Sequence, residues 1–220
     1  MIGRSRYLYR QLFSAMAYRD FTLEDIELQF GIRNRTDSLF ADNEITPQAP
    51  SANLVRDLEE ARELPIRSEK AKSELIVVPI LLELRKLTGK FFTIYSGDTL
   101  SADKERGLIG ECDFLLAKDT GSFSINVPLL SVVEAKKSDI EAGIPQCSAQ
   151  LVGARVFNEQ RGQALPVLYG CVTTADDWKF LKLQDQVIVV DRDIYYLREL
   201  DTILGIFHHI IDRYRELFNP

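Results

Sequence analysis

The chain has 220 residues, of which 45% are hydrophobic and 27% charged, and its formal net charge is −6. That acidity excludes a protein that coats nucleic acid nonspecifically, because such binding draws on many Lys and Arg contacts to phosphate; any nucleic-acid contact must use a local basic surface. No apolar run approaches the roughly 20 residues that span a bilayer, and the start MIGRSRYLYRQLF lacks the continuous apolar segment of a secretory signal, so no membrane role is expected and the cytoplasm is the expected compartment.

In chain order, residues 1–65 read as an N-terminal helical extension with a linker. Residues 5–18 are apolar at helical spacing. In FTLEDIELQFG, Thr22 is a candidate N-cap three residues before Asp25. ADNEITPQAPSAN, with two prolines and no period, is the linker. Ser51 can cap a short helix that Pro65 stops.

Residues 66–220 read as one larger domain. A helix opens at Ser68 and runs to about Thr88, kinked at Pro79. FFTIYSG (91–97), CDFLLA (112–117) and LLSVVEAK (129–136) read as strands, with the polar stretch DTLSADKERG as a loop between the first two. Pro145 sits in the first turn of a helix lasting to about Gln160. PVLYGCVTT, WKFLKL and VIVVD supply further strands. The chain closes with an amphipathic helix whose stripe contains Leu200, Ile203, Leu204, Phe207, Ile210, Ile211, Tyr214 and Phe218. The fold class is therefore α/β or α+β, a mixed sheet flanked by helices.

Three cysteines, Cys112, Cys147 and Cys171, are widely spaced and form no C-x-x-C pair, which argues against a disulfide framework and a zinc site. The adjacent His208 and His209 supply neither a nucleophile triad nor a metal pair at helical spacing.

The chemistry concentrates in SVVEAKKSD. Leu129, Leu130, Val132 and Val133 lead into Glu134 and Lys136, charges that a buried strand normally excludes. Strand residues two apart share a face about 6 to 7 Å apart, so these two side chains point together. Asp113 likewise heads an apolar strand. If the two strands are neighbours, Asp113, Glu134 and Lys136 converge on one sheet edge. Two carboxylates beside an ammonium suit Mg²⁺, which takes oxygen ligands and keeps several waters. Glu74 lies beside the buried stripe of its helix, whereas Glu69 falls on the polar face. Gln146 and Gln150 are four apart and project from one side of the helix after Lys136, and Gly153 continues that side. Arg4, Arg6, Arg10, Arg19, Arg33 and Arg35, with Arg85, Lys86, Lys90 and Lys137, are candidates for a phosphate-facing rim, diluted by Asp20, Glu24, Asp25 and Glu27. A rival acid–x–Lys, Asp177–Trp178–Lys179, has no glutamine-bearing helix after it.

Glu74 in SEKAKSELIVVPIL, Asp113 in GECDF, Glu134 and Lys136 in VVEAKK, then Gln146 and Gln150 in GIPQCSAQ resemble the PD-(D/E)XK nuclease superfamily, the restriction-endonuclease-like fold. The pattern is similar to the nuclease domain of type I restriction motor subunits and covers residues of about 68–175. The resemblance implies an αβββαβ core and a DNA endonuclease that uses Mg²⁺, with Mn²⁺ able to substitute. It also implies metal ligation by Asp113 and Glu134, catalysis by Lys136, and accessory roles for Glu74, Gln146 and Gln150. The expected partner is DNA, with a homodimer or a larger restriction or defence assembly as the setting. The alternative is the same fold as a non-catalytic scaffold that docks a partner protein or nucleic acid.

Overall fold

A computed structural model describes residues 16–41 and 43–218. The helix expected over residues 5–18 lies almost wholly outside the described residues.

Five helices and eight strands are described. Helix α1 (Leu23–Phe30) begins at Thr22, whose hydroxyl accepts from the Asp25 N–H while Asp25 accepts from the Thr22 N–H, the reciprocal box that the sequence predicts. Strand β1 (Arg33–Asp37) follows, then α2 (Ala52–Arg62), capped by Ser51. Helix α3 is composite: Glu69–Lys72, a π-helical turn Ser73–Val77, and Val78–Leu87. Then come β2 (Phe92–Asp103), β3 (Leu108–Lys118), β4 (Leu129–Ala135), α4 (Ile144–Gln160), β5 (Val167–Thr173), β6 (Asp177–Gln184), β7 (Val187–Asp191), β8 (Tyr195–Tyr196) and α5 (Leu200–Phe218).

The sheet runs β1-β7-β6-β5-β4-β3-β2, with β8 on the free part of β6. The β1–β7 and β4–β5 pairs are parallel and the others antiparallel. From α3 to β5 the element order is αβββαβ, as the sequence predicts. Two cores result. On one face α2, α3 and α5 pack Leu58, Ile80, Leu84, Phe207 and Tyr214 against Phe114, Val133 and Trp178. On the other, α1 and α4 place Ile26, Ala149 and Val152 against Leu115, Val132 and Leu181. The closing stripe is core: Trp178 and Phe207 meet edge to face at 6.0 Å. Burying aromatics of this size contributes roughly 1.5–3 kcal/mol each. Among the described residues, no helix is long and apolar enough to cross a membrane.

Two expectations are corrected. Residues 1–65 are not purely helical, because Arg33–Asp37 adds an edge strand beside β7. Its residues RNRTD have no apolar alternation, so the edge strand carries no periodic signal. DTLSADKERG is not a loop, since β2 continues to Asp103 and only a short turn at Lys104–Arg106 separates it from β3. Leu100 and Ala102 are both buried on one side of that extension, a period-2 pattern hidden among polar residues. At Pro79, where the sequence predicts a kink, the helix continues with a π-helical turn just before the ring. A proline ring clashes with the carbonyl four residues back, and the π turn immediately before it relieves that contact, with the Val78 N–H reaching Ser73 O.

Strand β4 is held at both ends by side chains that substitute for strand partners. At its start Asn158 of α4 accepts from the Leu129 N–H at 2.8 Å and donates to Leu129 O at 2.9 Å, opposite a register shift between Leu116 and Ala117. Asn158→Ala would strand both buried backbone groups, and the expected loss is about 2–4 kcal/mol in urea unfolding. A loss under 0.5 kcal/mol would show that water replaces the amide.

Candidate active site

The other end of β4 builds the site. The β3–β4 ladder pairs Phe114 with Val133, and one step further the carboxylate of Asp113 replaces a backbone partner: the Ala135 N–H donates to Asp113 Oδ2 at 2.7 Å. Beyond Ala135 the chain stays tied to β5 through the Lys136 N–H, which donates to Thr173 O at 2.7 Å. Val132, Glu134 and Lys136 thus face α4 while Val133 and Ala135 enter the opposite core.

The expected convergence of β4 and α4 is present. Lys136 Nζ donates to Glu134 Oε1 at 2.7 Å and to Gln146 Oε1 at 2.9 Å. Gln150 Nε2 donates to Glu134 Oε2 at 2.8 Å. The two glutamines one helical turn apart therefore hold one member each of the acid–base pair. Gly143, just before α4, lets the turn close over the lysine stem, since a Cβ there would lie 3.0 Å from Lys136 Cγ and would overlap Val172.

Asp113, Glu134, Lys136 and Gln146 line a cavity of about 290 Å³ together with Ala17, Tyr18, Arg19, Glu69, Gly110 and Glu111. A cavity of about 330 Å³ between β5, β6 and α5 is larger, but among the described residues Glu216 is the one acid on its wall, beside Lys182 and Arg213.

The electrostatics of the first cavity are dominated by burial of like charge. Glu134 is 2% exposed. Burial first, and repulsion from Asp113 second, push its carboxyl up to about 7 against the attraction of Lys136. Asp113 is also raised, by burial and by Glu69 and Glu111 nearby, despite the Ala135 N–H. Burial pulls Lys136 down, but Glu134 outweighs it and holds the ammonium above its ordinary value. The pair of acids is therefore under-compensated by the single lysine.

That imbalance supplies the test of fit for a metal. The donor set is all oxygen, and a carboxylate oxygen holding one hydrogen bond retains a second lone pair, so Asp113 and Glu134 fit a hard divalent cation that would offset their repulsion. Among the described residues no group of three His, Cys, Asp or Glu side chains closes around such an ion, so further ligands would come from water or substrate oxygens.

Glu74 is a correction. Its side chain is 61% exposed, pairs with Lys70 at 3.8 Å, and does not line the cavity. The π turn contains Glu74 and carries one more residue per turn than an α-helix, which spoils the uniform spacing on which its placement depends. Glu69, in the first turn after the Ser68 cap, occupies the wall instead. Glu111 is two residues before Asp113 on β3, so strand alternation alone could have found it. Ala17 and Tyr18 carry no local signal for the site, whereas Arg19 is one of the basics expected at a phosphate-facing rim.

Of the expected basic rim, Arg19 lines the cavity, whereas Arg33, Arg35, Arg85 and Lys86 do not. Arg33 and Arg35 are on β1 at the far edge of the sheet, Arg85 pairs with Asp119 and Lys86 with Glu83. Arg4, Arg6 and Arg10 are outside the described residues. The rival Asp177 accepts from Thr174 and begins β6. All three cysteines are buried and unpaired. His208 and His209 flank α5, against Asp212 and Glu44.

No family model, curated protein or solved structure matches the chain. Its chemistry has to be read from its own residues.

Proposed function

We propose that the protein is a Mg²⁺-dependent nuclease that hydrolyses DNA phosphodiester bonds, a restriction-endonuclease-like enzyme of the PD-(D/E)XK type. The observation that carries this reading is the buried Glu134 held by Lys136 and Gln150 beside Asp113 in an open cavity. A structural ion pair needs neither a second acid nor a cavity. The cytoplasm is its proposed compartment and a restriction or defence assembly its proposed setting.

Asp113 and Glu134 would hold the cation. When bound, it would polarise the phosphoryl group and lower the pKa of a coordinated water. The chain's own residues do the rest. Gln150 fixes the rotamer of Glu134, and Gln146 accepts from Lys136 so that the ammonium is aimed along the cavity wall. There Lys136 can orient an attacking water or offset the negative charge that grows on the phosphate oxygens. The Ala135 N–H keeps Asp113 turned toward β4.

The scaffold reading draws on a different feature: both Glu134 oxygens already have protein donors, as in a permanent structural pair. Incubating the protein with linear, circular and single-stranded DNA separates the two. The nuclease reading expects cleavage that requires Mg²⁺ or Mn²⁺ and stops with EDTA; DNA left intact under all of these conditions favours the scaffold.

A further inference from the structure

Among the described residues, the cavity wall carries four carboxylates, Glu69, Glu111, Asp113 and Glu134, against two cations, Lys136 and Arg19. Lys136 is engaged inside the site by Glu134 and Gln146. Arg19 is 80% exposed along its side chain, and among the described residues its ion pair is a loose one, 3.7 Å from Nε to Asp20 Oδ1. A solvent-exposed contact of that length constrains little. Its guanidinium keeps a planar fork of donors that matches two phosphate oxygens at once.

Arg19 is at the rim because Tyr18 is locked beside it. The Tyr18 ring is 1% exposed and lies between Gly110 of β3 and Gly153 of α4. A Cβ at Gly153 would come within 2.7 Å of Tyr18 Cζ, and one at Gly110 within 3.1 Å of Cδ2. The three atoms nearest a Cβ at Gly153 all belong to Tyr18, so the glycine makes room for that side chain. The phenol oxygen is buried without a hydrogen-bond partner among the described residues, so the slot selects the ring for its shape and not for its hydroxyl. Next to this plug the Ala17 N–H donates to Asp20 Oδ2 at 2.8 Å and closes the turn that presents Arg19 to the cavity.

We infer that Arg19 is a phosphate-binding residue of this site and that Tyr18 is the anchor that positions it. The inference rests on the nuclease reading and adds to it a gripping group for DNA phosphate, supplied from a segment remote in sequence from the acid–base strand. Glu69 and Glu111 stand on the same wall as the two acids proposed for the cation and repel an incoming phosphodiester, so an exposed guanidinium beside them favours its approach.

The test is equilibrium binding of a short labelled DNA duplex by fluorescence anisotropy across a salt series, with Ca²⁺ replacing Mg²⁺. Arg19→Ala is expected to weaken binding about tenfold and to flatten the log–log salt slope by about one. Arg19→Lys should restore the slope but not all of the affinity, because an ammonium cannot reproduce the fork. Tyr18→Phe should match the wild type, while Tyr18→Ala should show the Arg19→Ala slope with Arg19 still present. Wild-type affinity and slope in Arg19→Ala would overturn the inference and leave the nuclease reading standing. A wild-type slope in Tyr18→Ala would overturn the anchor. No DNA binding by the wild type would overturn both readings together.

Discussion

Lys136→Ala and Glu134→Gln are each expected to slow Mg²⁺-dependent DNA cleavage by about a hundredfold or more, while Glu74→Ala stays within about threefold of the wild type. The scale is that of removing one preorganised charge from a site where charge develops in the transition state. The contrast with Glu74 follows from position: its carboxylate is out in solvent beside Lys70, whereas Glu134 is buried between Lys136 and Gln150. Initial rates on plasmid DNA provide the measurement, with circular dichroism melts to show that each variant is folded. Lys136→Ala cutting at the wild-type rate would remove that ammonium from the chemistry. A loss in Glu74→Ala equal to that in Glu134→Gln would contradict the cavity as drawn.

The second large effect is on stability against pH. In the metal-free protein Glu134 titrates near 7, above its ordinary 4.5, because burial and Asp113 disfavour the charged form. Between those values the folded chain keeps a proton that the unfolded chain has lost. Stability from this group is therefore complete below about 4.5 and is lost as pH rises through about 7. The contribution is up to about 3 kcal/mol, equivalent to a Tm lower by roughly 5–10 °C at pH 8 than at pH 5. Asp113 is raised too and acts in the same direction. Asp103 and Asp119 are held below their ordinary range, so their opposite contributions change mainly below pH 5. Thermal melts with EDTA at pH 5, 6, 7 and 8 check this, and Glu134→Gln should flatten the trend. A wild type whose Tm rises steadily from pH 5 to 8 would mean that Glu134 is ionised throughout.

Glu134 and Lys136 were legible because an apolar run that ends in two alternate charges has one simple reading, a strand emerging from the core into a polar pocket. Gln146 and Gln150 were legible because helical spacing places them on one side, and each meets one member of the pair. Pairing of β3 with β4 needed a hairpin-scale connection, which the sequence offers in KDTGSFSINVP. Glu69 was hidden because the π turn Ser73–Val77 that follows it is a local departure from the period on which helix reading relies. Strand β1 was hidden because RNRTD is exposed and polar, held by β7 through backbone bonds that leave no trace in side-chain pattern. Tyr18 and its two glycines meet only in three dimensions, and glycine alone does not say what it makes room for.

Titrating Mn²⁺ into the wild type and into Asp113→Ala by calorimetry is the shortest route to the core of this proposal. A saturable exotherm or endotherm in the wild type, at least about tenfold weaker without the Asp113 carboxylate, is the expected result for a hard cation bound by this oxygen set. Equal binding by both proteins, or none by either, would contradict it.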